Sequence, residues 1–385
     1  MTLAADGALW QPYSDPGFCA GLRAFAAARI GPAAEDIDAR DIYPVEPIRA
    51  LANAGYTGIA LPRESGGGGR GFRHLLDVFE EASYHSAAVG ISLITIFQAQ
   101  MMLRLYAVPR VRDRYLRALA GGLISSYALT EANHGSDIRT LDTQARPDGD
   151  GWVLDGEKAF ITSGSAAELF VILAQAPAGV SVFLVPRDTP GVSCREGHST
   201  ATFGLRNGPH VDLVLQDVRV PADHLVGEEG KGVRQAVTVL DYSRTMAAGI
   251  SLGIARAAFD GAFAHARRRI VFGESVFDKQ GVQWYFSDAL ARLDAARLLS
   301  ARAADALDAG EDIARWASEA KLVASALATD VASMAVQVCG AHGVRTTSPF
   351  GRYLRDAKAY EIAGGSSEVL RNTIGKLLSR MDTGA

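Results

Sequence analysis

YALTEANHGSD (residues 127–137) and GEKAFITSG (residues 156–164) mark where a helical chain turns into strands, before it becomes helical again past Pro221. Segments 124–129, 152–162, 169–175, 180–185 and 211–220 are short and alternate or enrich β-branched residues. Asp148-Gly149, Asp155-Gly156, Thr189-Pro190-Gly191 and Asn207-Gly208-Pro209 punctuate them. The texture is that of a small antiparallel β domain. Because no strand leads into GxGxxG and no βαβ alternation appears, a doubly wound dinucleotide fold is excluded.

Upstream, residues 17–119 are helical in pattern, with Phe18, Leu22, Phe25 and Ala26 on one face and apolar residues recurring at three and four from 72 to 119. The most apolar run, 87–97, ends at Gln98 and Gln100. It falls short of the ~20 residues of a membrane span and reads as a buried helix. Between these segments lies LPRESGGGGRG (61–71), a glycine-rich connector. It lacks the Gly-Lys-Ser/Thr and the preceding strand of a P-loop.

Downstream, segments 231–269, 279–309, 311–339 and 366–380 are long and rich in Ala, Leu and Arg, which predicts a four-helix bundle. A further helix carrying Arg355, Asp356 and Lys358 runs into the Gly-Gly-Ser-Ser hinge at 364–367. Its glycines permit close backbone approach, and its hydroxyls with the next helix's N-terminus form a polar cradle. The expected architecture is α+β: an N-terminal helical domain (1–122), a middle antiparallel β domain (123–228) and a C-terminal four-helix bundle (229–385).

With 385 residues the chain is long enough for two or three packed units. A net charge of -4 and the absence of a Lys/Arg block with interleaved aromatics argue against a nucleic-acid partner. Cys19, Cys194 and Cys339 are too widely spaced for a CxxC metal or redox motif and suit a reducing compartment. The opening MTLAADGALW has neither the basic start nor the apolar core of a signal peptide, so a cytoplasmic protein without membrane attachment is expected.

Taken with DVRVP (217–221), RIVFG (269–273), Gln280, QVCG (337–340) and RDAK (355–358), the two opening strings resemble the acyl-CoA dehydrogenase superfamily of flavoproteins in order and spacing, from about residue 51 to 378. The resemblance implies FAD as cofactor. It puts the backbone and hydroxyl of Tyr127, Leu129 and Thr130 against the flavin ring, with Gly135 and Ser136 beside them, Ser136 touching both FAD and a thioester ligand. Phe160 and Thr162 match residues packed on, and bonded near, the isoalloxazine. Arg269, Phe272 and Gln280 match positions by which one subunit grips its neighbour's FAD, an arginine fork suiting a pyrophosphate. Gln337, Gly340, Ser366 and Glu368 match further FAD contacts across an interface, so a homodimer or homotetramer is implied. Asp241 and Arg244 match the walls of the acyl-pantetheine channel. The chain departs from the family pattern at Ala132, where proline is common, at His134, and at Val271, where threonine is frequent.

In this family an α-proton is removed as a hydride leaves the β-carbon, so a carboxylate must stand by and the thioester oxygen must be polarised. The resemblance places that glutamate at Gly364 or, in other members, at Ser243, immediately before Arg244; neither position is acidic here. The Gly364 N–H, which matches the donor to the thioester carbonyl, is retained. Asp241, Glu81, Glu361 and His134 are the candidates for a relocated base. The implied activity is α,β-dehydrogenation of an acyl-CoA or acyl-carrier-protein thioester, with an electron-transfer flavoprotein or oxygen as acceptor. The alternatives are other flavin chemistry on the same fold, monooxygenation or thioester elimination, and an inert thioester-binding homologue. Gln98 and Gln100 are candidate ligand-facing groups that would suit a polar acyl chain.

Overall fold

The computed structural model describes residues 9–196 and 201–380. Among the described residues six α-helices come first: α1 (Pro16–Arg29), α2 (Ala34–Arg40), α3 (Val45–Asn53), α4 (Phe72–His85), α5 (Ala87–Tyr106) and α6 (Pro109–Ala120). Strands follow: β1 (Ser125–Ala128), β2 (Gln144–Asp148), β3 (Gly151–Ile161), β4 (Leu169–Ala176), β5 (Gly179–Pro186), β6 (Val192–Arg195), β7 (Val211–Pro221) and β8 (Leu225–Val226). The chain then gives α7 (Gly232–Arg268), a small hairpin of β9 (Ile270–Val271) and β10 (Glu274–Ser275), α8 (Gln280–Ala309), α9 (Ala314–Cys339), α10 (Phe350–Ile362) and α11 (Ser367–Leu378).

The sheet runs β6-β7-β3-β2-β4-β5-β8, with β1 pairing β4. Most pairs are antiparallel, but β1–β4 and the single β2–β4 contact are parallel, a departure from the all-antiparallel expectation. Parallel pairing needs no hairpin turn and so leaves no local mark in the sequence. Along β4, Leu169, Val171 and Leu173 join the helical core, while Phe170, Ile172 and Ala174 join the sheet's own core. Both faces of this strand are therefore covered, as its unbroken apolar run requires.

The N- and C-terminal helices share one continuous core, from Trp10 through α4 and α5 to Tyr360 on α10. The C-terminal unit is three long helices, α7, α8 and α9, with the shorter α10 and α11 packed on α9. α5 is 20 residues long and apolar enough to cross a membrane by length and composition, longer than the run seen in the sequence, yet 89% of its apolar window is buried inside the protein. Gln98 and Gln100 continue the helix instead of ending it. α9 also meets the length and composition test as part of residues 314–342.

The glycine-rich connector is a packed turn. The N–H groups of Gly68, Gly69 and Arg70 bond the carbonyls of Gly58, Leu61 and Ile59. A Cβ on Gly67 would meet the Leu61 carbonyl oxygen at 2.3 Å, so glycine is needed there for backbone packing.

A buried polar network ties the helical units together. Glu80 of α4 accepts from Arg256 of α7, Arg297 of α8 and the Tyr13 hydroxyl. Glu81 accepts from Arg256 and Arg23, each at 2.9 Å. Trp10 Nε1 donates to Asp260 at 3.0 Å.

Candidate functional site

The hinge between α10 and α11 is built by two left-handed residues, Gly364 (φ 71°) and Gly365 (φ 107°). Ser366 then caps α11, its hydroxyl accepting from the Val369 N–H at 3.5 Å, with Glu368 in the first turn as the helix dipole favours. No atom lies within 4 Å of where a Gly364 side chain would start.

From α7, Arg244 reaches this hinge and ties Asp241 to it. Arg244 Nε donates to the Gly364 carbonyl at 3.4 Å, and Arg244 Nη1 donates to Asp241 at 2.6 Å, both residues being buried. Between them Ser243 accepts from the Gln98 amide at 3.3 Å and donates to the Leu240 carbonyl at 3.0 Å. Of the two positions where a glutamate is expected, Gly364 is therefore held by Arg244, and Ser243 is the chain neighbour of that arginine. Burial raises the Asp241 carboxyl above its usual range, with Arg244 pulling the other way.

The other base candidates are engaged elsewhere. Glu81 belongs to the buried network in the helical core. Glu361 accepts from Thr329 of α9 and from Lys358. His134 faces Asp142 at 3.4 Å, a partner that the sequence does not reveal. Glu131, His134 and Asp142 cluster closely enough to suggest a cation site. However, Glu131 already accepts from Lys158 Nζ at 2.6 Å and from the N–H groups of Asp142 and Thr143, which makes it a staple for the loop after β1. Gln100 is likewise structural, its amide donating to the Thr57 carbonyl at 2.9 Å.

The end of β3 lies beside this corner. Thr95 of α5 donates to Ser163 at 3.2 Å, and Gln98 reaches Ser243. The two contacts are one turn of α5 apart, about 5 Å. Where β3 slips register between Lys158 and Ile161, Phe160 adopts φ 57° and stands 50% exposed. Thr130 and Thr162 are half-exposed, Gly135 and Ser136 exposed, and Leu129 buried; the Tyr127 hydroxyl is buried without a hydrogen-bond partner. Asn207, which the sequence marks only as part of a turn, is a buried polar group that donates to Ser92 and Ser163.

Arg269, Phe272, Gln280, Gln337 and Gly340 gather elsewhere. The His265 and His342 rings, 5.2 Å apart, bring the end of α7 to the turn after α9. Phe272 is 95% exposed and left-handed (φ 55°), and Arg269, Gln280, Gln337 and Gly340 are exposed with it. At 1.5 Å per residue, Gln337 stands about 24 Å along α9 from Lys321, which touches the hinge, and the end of α7 about 36 Å from Arg244. Ser366 and Glu368 stay with the hinge, so the positions matched to the cofactor form two groups at opposite ends of the bundle.

Descriptions of the N-terminal, middle and C-terminal domains of acyl-CoA dehydrogenase match residues 17–123, 126–218 and 230–379. The chain belongs to the acyl-CoA dehydrogenase family. The match begins well before residue 51, where the motifs become legible. Acryloyl-CoA reductase (NADH) of Anaerotignum propionicum is 35% identical over 363 residues, covering 92% of this chain and 91% of the relative. Butyryl-CoA dehydrogenase of Megasphaera elsdenii superposes with a TM-score of 0.91 at 31% identity, over 94% of this chain and 97% of that one. Glutaryl-CoA dehydrogenase of Mycobacterium smegmatis, solved with FADH2, gives 0.90 at 26% identity over 97% and 96%. As an acyl-CoA dehydrogenase family member the chain is an oxidoreductase by kinship.

Proposed function

We propose that the protein is an FAD-dependent oxidoreductase that removes hydrogen across the α,β bond of an acyl thioester, with Asp241 as the relocated base. The observation that carries this is that Arg244, next to Ser243, joins the exposed Gly364 to the buried Asp241 on a corner beside the end of β3, where Phe160 stands exposed. The donor set fits FAD. An outward aromatic at Phe160, hydroxyls at Thr130, Ser136 and Thr162, and open space at Gly135 suit a ring and its polar edge. Tyr127, Leu129, Ser366 and Glu368 complete that end, while Arg269, Phe272, Gln280, Gln337 and Gly340 of a second copy hold the other. Bound there, FAD would supply the acceptor for a hydride from the β-carbon.

The protein's own groups then have defined tasks. The Gly364 N–H donates to the thioester oxygen and favours charge building there. Arg244 holds both the Gly364 carbonyl and Asp241, and Asp241 takes the α-proton on a carboxylate oxygen. Ser136 borders the thioester, and the Gln98–Ser243 pair gives the acyl pocket a polar wall suited to a functionalised chain. Anaerobic mixing with short acyl thioesters, on CoA and on a carrier protein, should bleach the flavin. Failure with every thioester would rule out thioester oxidation. Electrons then pass to an electron-transfer flavoprotein or to oxygen, and the protein works in the cytoplasm as a homodimer or homotetramer, which light scattering on the purified protein would test.

Open space at Gly364 favours one alternative, flavin monooxygenation or elimination from an activated thioester, for which oxygen-dependent product or acceptor-free release of a leaving group would be diagnostic. An inert thioester-binding homologue would bind CoA esters without turnover. Restoring a glutamate separates these cases. Gly364→Glu has room but must accept a left-handed backbone, at about 1–2 kcal/mol. Ser243→Glu must bury its carboxylate against Gln98 and Arg244. We expect Gly364→Glu to raise desaturation of a simple acyl-CoA by at least about tenfold and Ser243→Glu by less. Unchanged rates in both would mean that the thioester is held in another orientation.

A further inference from the structure

We propose that Lys321 is a positioning residue that clamps the hinge after α10 from behind and so fixes the backbone that presents the Gly364 N–H to the substrate; this rests on the thioester reading above. Lys321 lies on α9 with no exposed surface. Its Nζ donates to the Glu361 carbonyl at 3.1 Å and to the Gly365 carbonyl at 2.9 Å, bracketing Gly364. Arg244 holds the carbonyl between them, that of Gly364. Two buried cations from two helices thus draw three carbonyls of one short segment inward.

The consequence follows from the planar trans peptide, in which N–H and C=O point in opposite directions. With the carbonyls of Gly364 and Gly365 turned in, the N–H groups of Gly365 and Ser366 are turned out, and the Ala363–Gly364 peptide, which carries the Gly364 N–H, is held between the anchored carbonyls of Glu361 and Gly364. Left-handed glycines would otherwise leave this segment a choice of directions. Lys321 also stands at the C-terminal end of α10, where a cation is favoured, and places positive charge behind the donors.

Burial depresses the Lys321 ammonium to about 8, with Arg244 adding to the effect and Glu361 and Glu368 opposing it. A lysine kept at that cost needs a reason, and its hydrogen bonds go to the hinge. Its signal in the sequence is a single charged residue on an alanine face, with Ala317, Ala324 and Ala328 buried around it.

The test uses Lys321→Met and, should that variant fold poorly, Lys321→Gln, which keeps a side-chain donor. In the FAD-loaded protein we expect amide hydrogen exchange of segment 360–370 to accelerate at least about tenfold, the equivalent of one lost hydrogen bond, while exchange in α7 and the sheet is unchanged. We also expect the limiting rate of flavin bleaching by a thioester to fall more than KM rises, with Lys321→Gln between wild type and Lys321→Met. Exchange in the hinge within twofold of wild type, or equal acceleration along the whole chain, would overturn the clamp. A hinge that loosens selectively in a protein whose wild-type flavin no thioester bleaches would uphold the clamp and remove the thioester reading instead.

Discussion

Asp241→Asn is expected to slow anaerobic flavin reduction by an acyl thioester about 10²- to 10⁴-fold, the usual worth of a general base, while leaving FAD content and secondary structure intact. The substitution is nearly isosteric, and the asparagine carbonyl can still accept from Arg244 Nη1. What is lost is the basic oxygen. The pH profile gives an independent check. Burial raises Asp241 above its usual 3.8, Arg244 opposing. The deprotonated form is the active one, so the wild-type rate should climb with pH through that raised value and level off above it. Stopped-flow traces from pH 4.5 to 8 would show this limb in the wild type and its absence in the variant. A rate within threefold of wild type would move the base to another group.

Arg256→Ala is expected to cost about 3–5 kcal/mol of stability, the penalty for leaving buried carboxylates without their partner. Glu80 is buried with Arg256, Arg297 and Tyr13 as its donors, and Arg256 is shared with Glu81. Burial alone would raise the Glu80 carboxyl; Arg297 and Arg256 outweigh it and hold it below its usual value. A carboxyl depressed in this way contributes stability above its unfolded value near 4.5 that is lost as pH falls through the folded value. Urea unfolding at pH 7 should show a lowered midpoint with little change in slope. A loss under 1 kcal/mol would mean that Arg297 and Arg23 suffice for the two acids.

The α+β order, five of the strands and the long helices are legible because alternation and three-four spacing are local properties. β2 is not, since QARPD is polar, mostly exposed and contains Pro147. β6 and β8, with 4 and 2 residues, are too short to show a period. The parallel partnership of β1 with β4 joins residues more than forty positions apart. At the hinge, glycines and hydroxyls announce a polar corner, but Lys321 hides within an apolar helix and the Glu80–Arg256–Arg297 network resembles solvated helix charges. Burial decided both, and burial is set by the partner helix. The motifs marked Ser366 and Glu368 together with Gln337 and Gly340; the helix geometry separates them by about 24 Å along α9.

On the proposed reading, that separation would make cofactor retention a collective property. In the proposed assembly, a chain that carries the ring-facing groups at one end of its bundle and Arg269, Phe272 and Gln280 at the other would offer each copy half of two different sites. Cofactor affinity and self-association would then be one linked equilibrium, in which FAD acts as an intermolecular strut and its loss on dilution is expected to track the falling population of assembled chains.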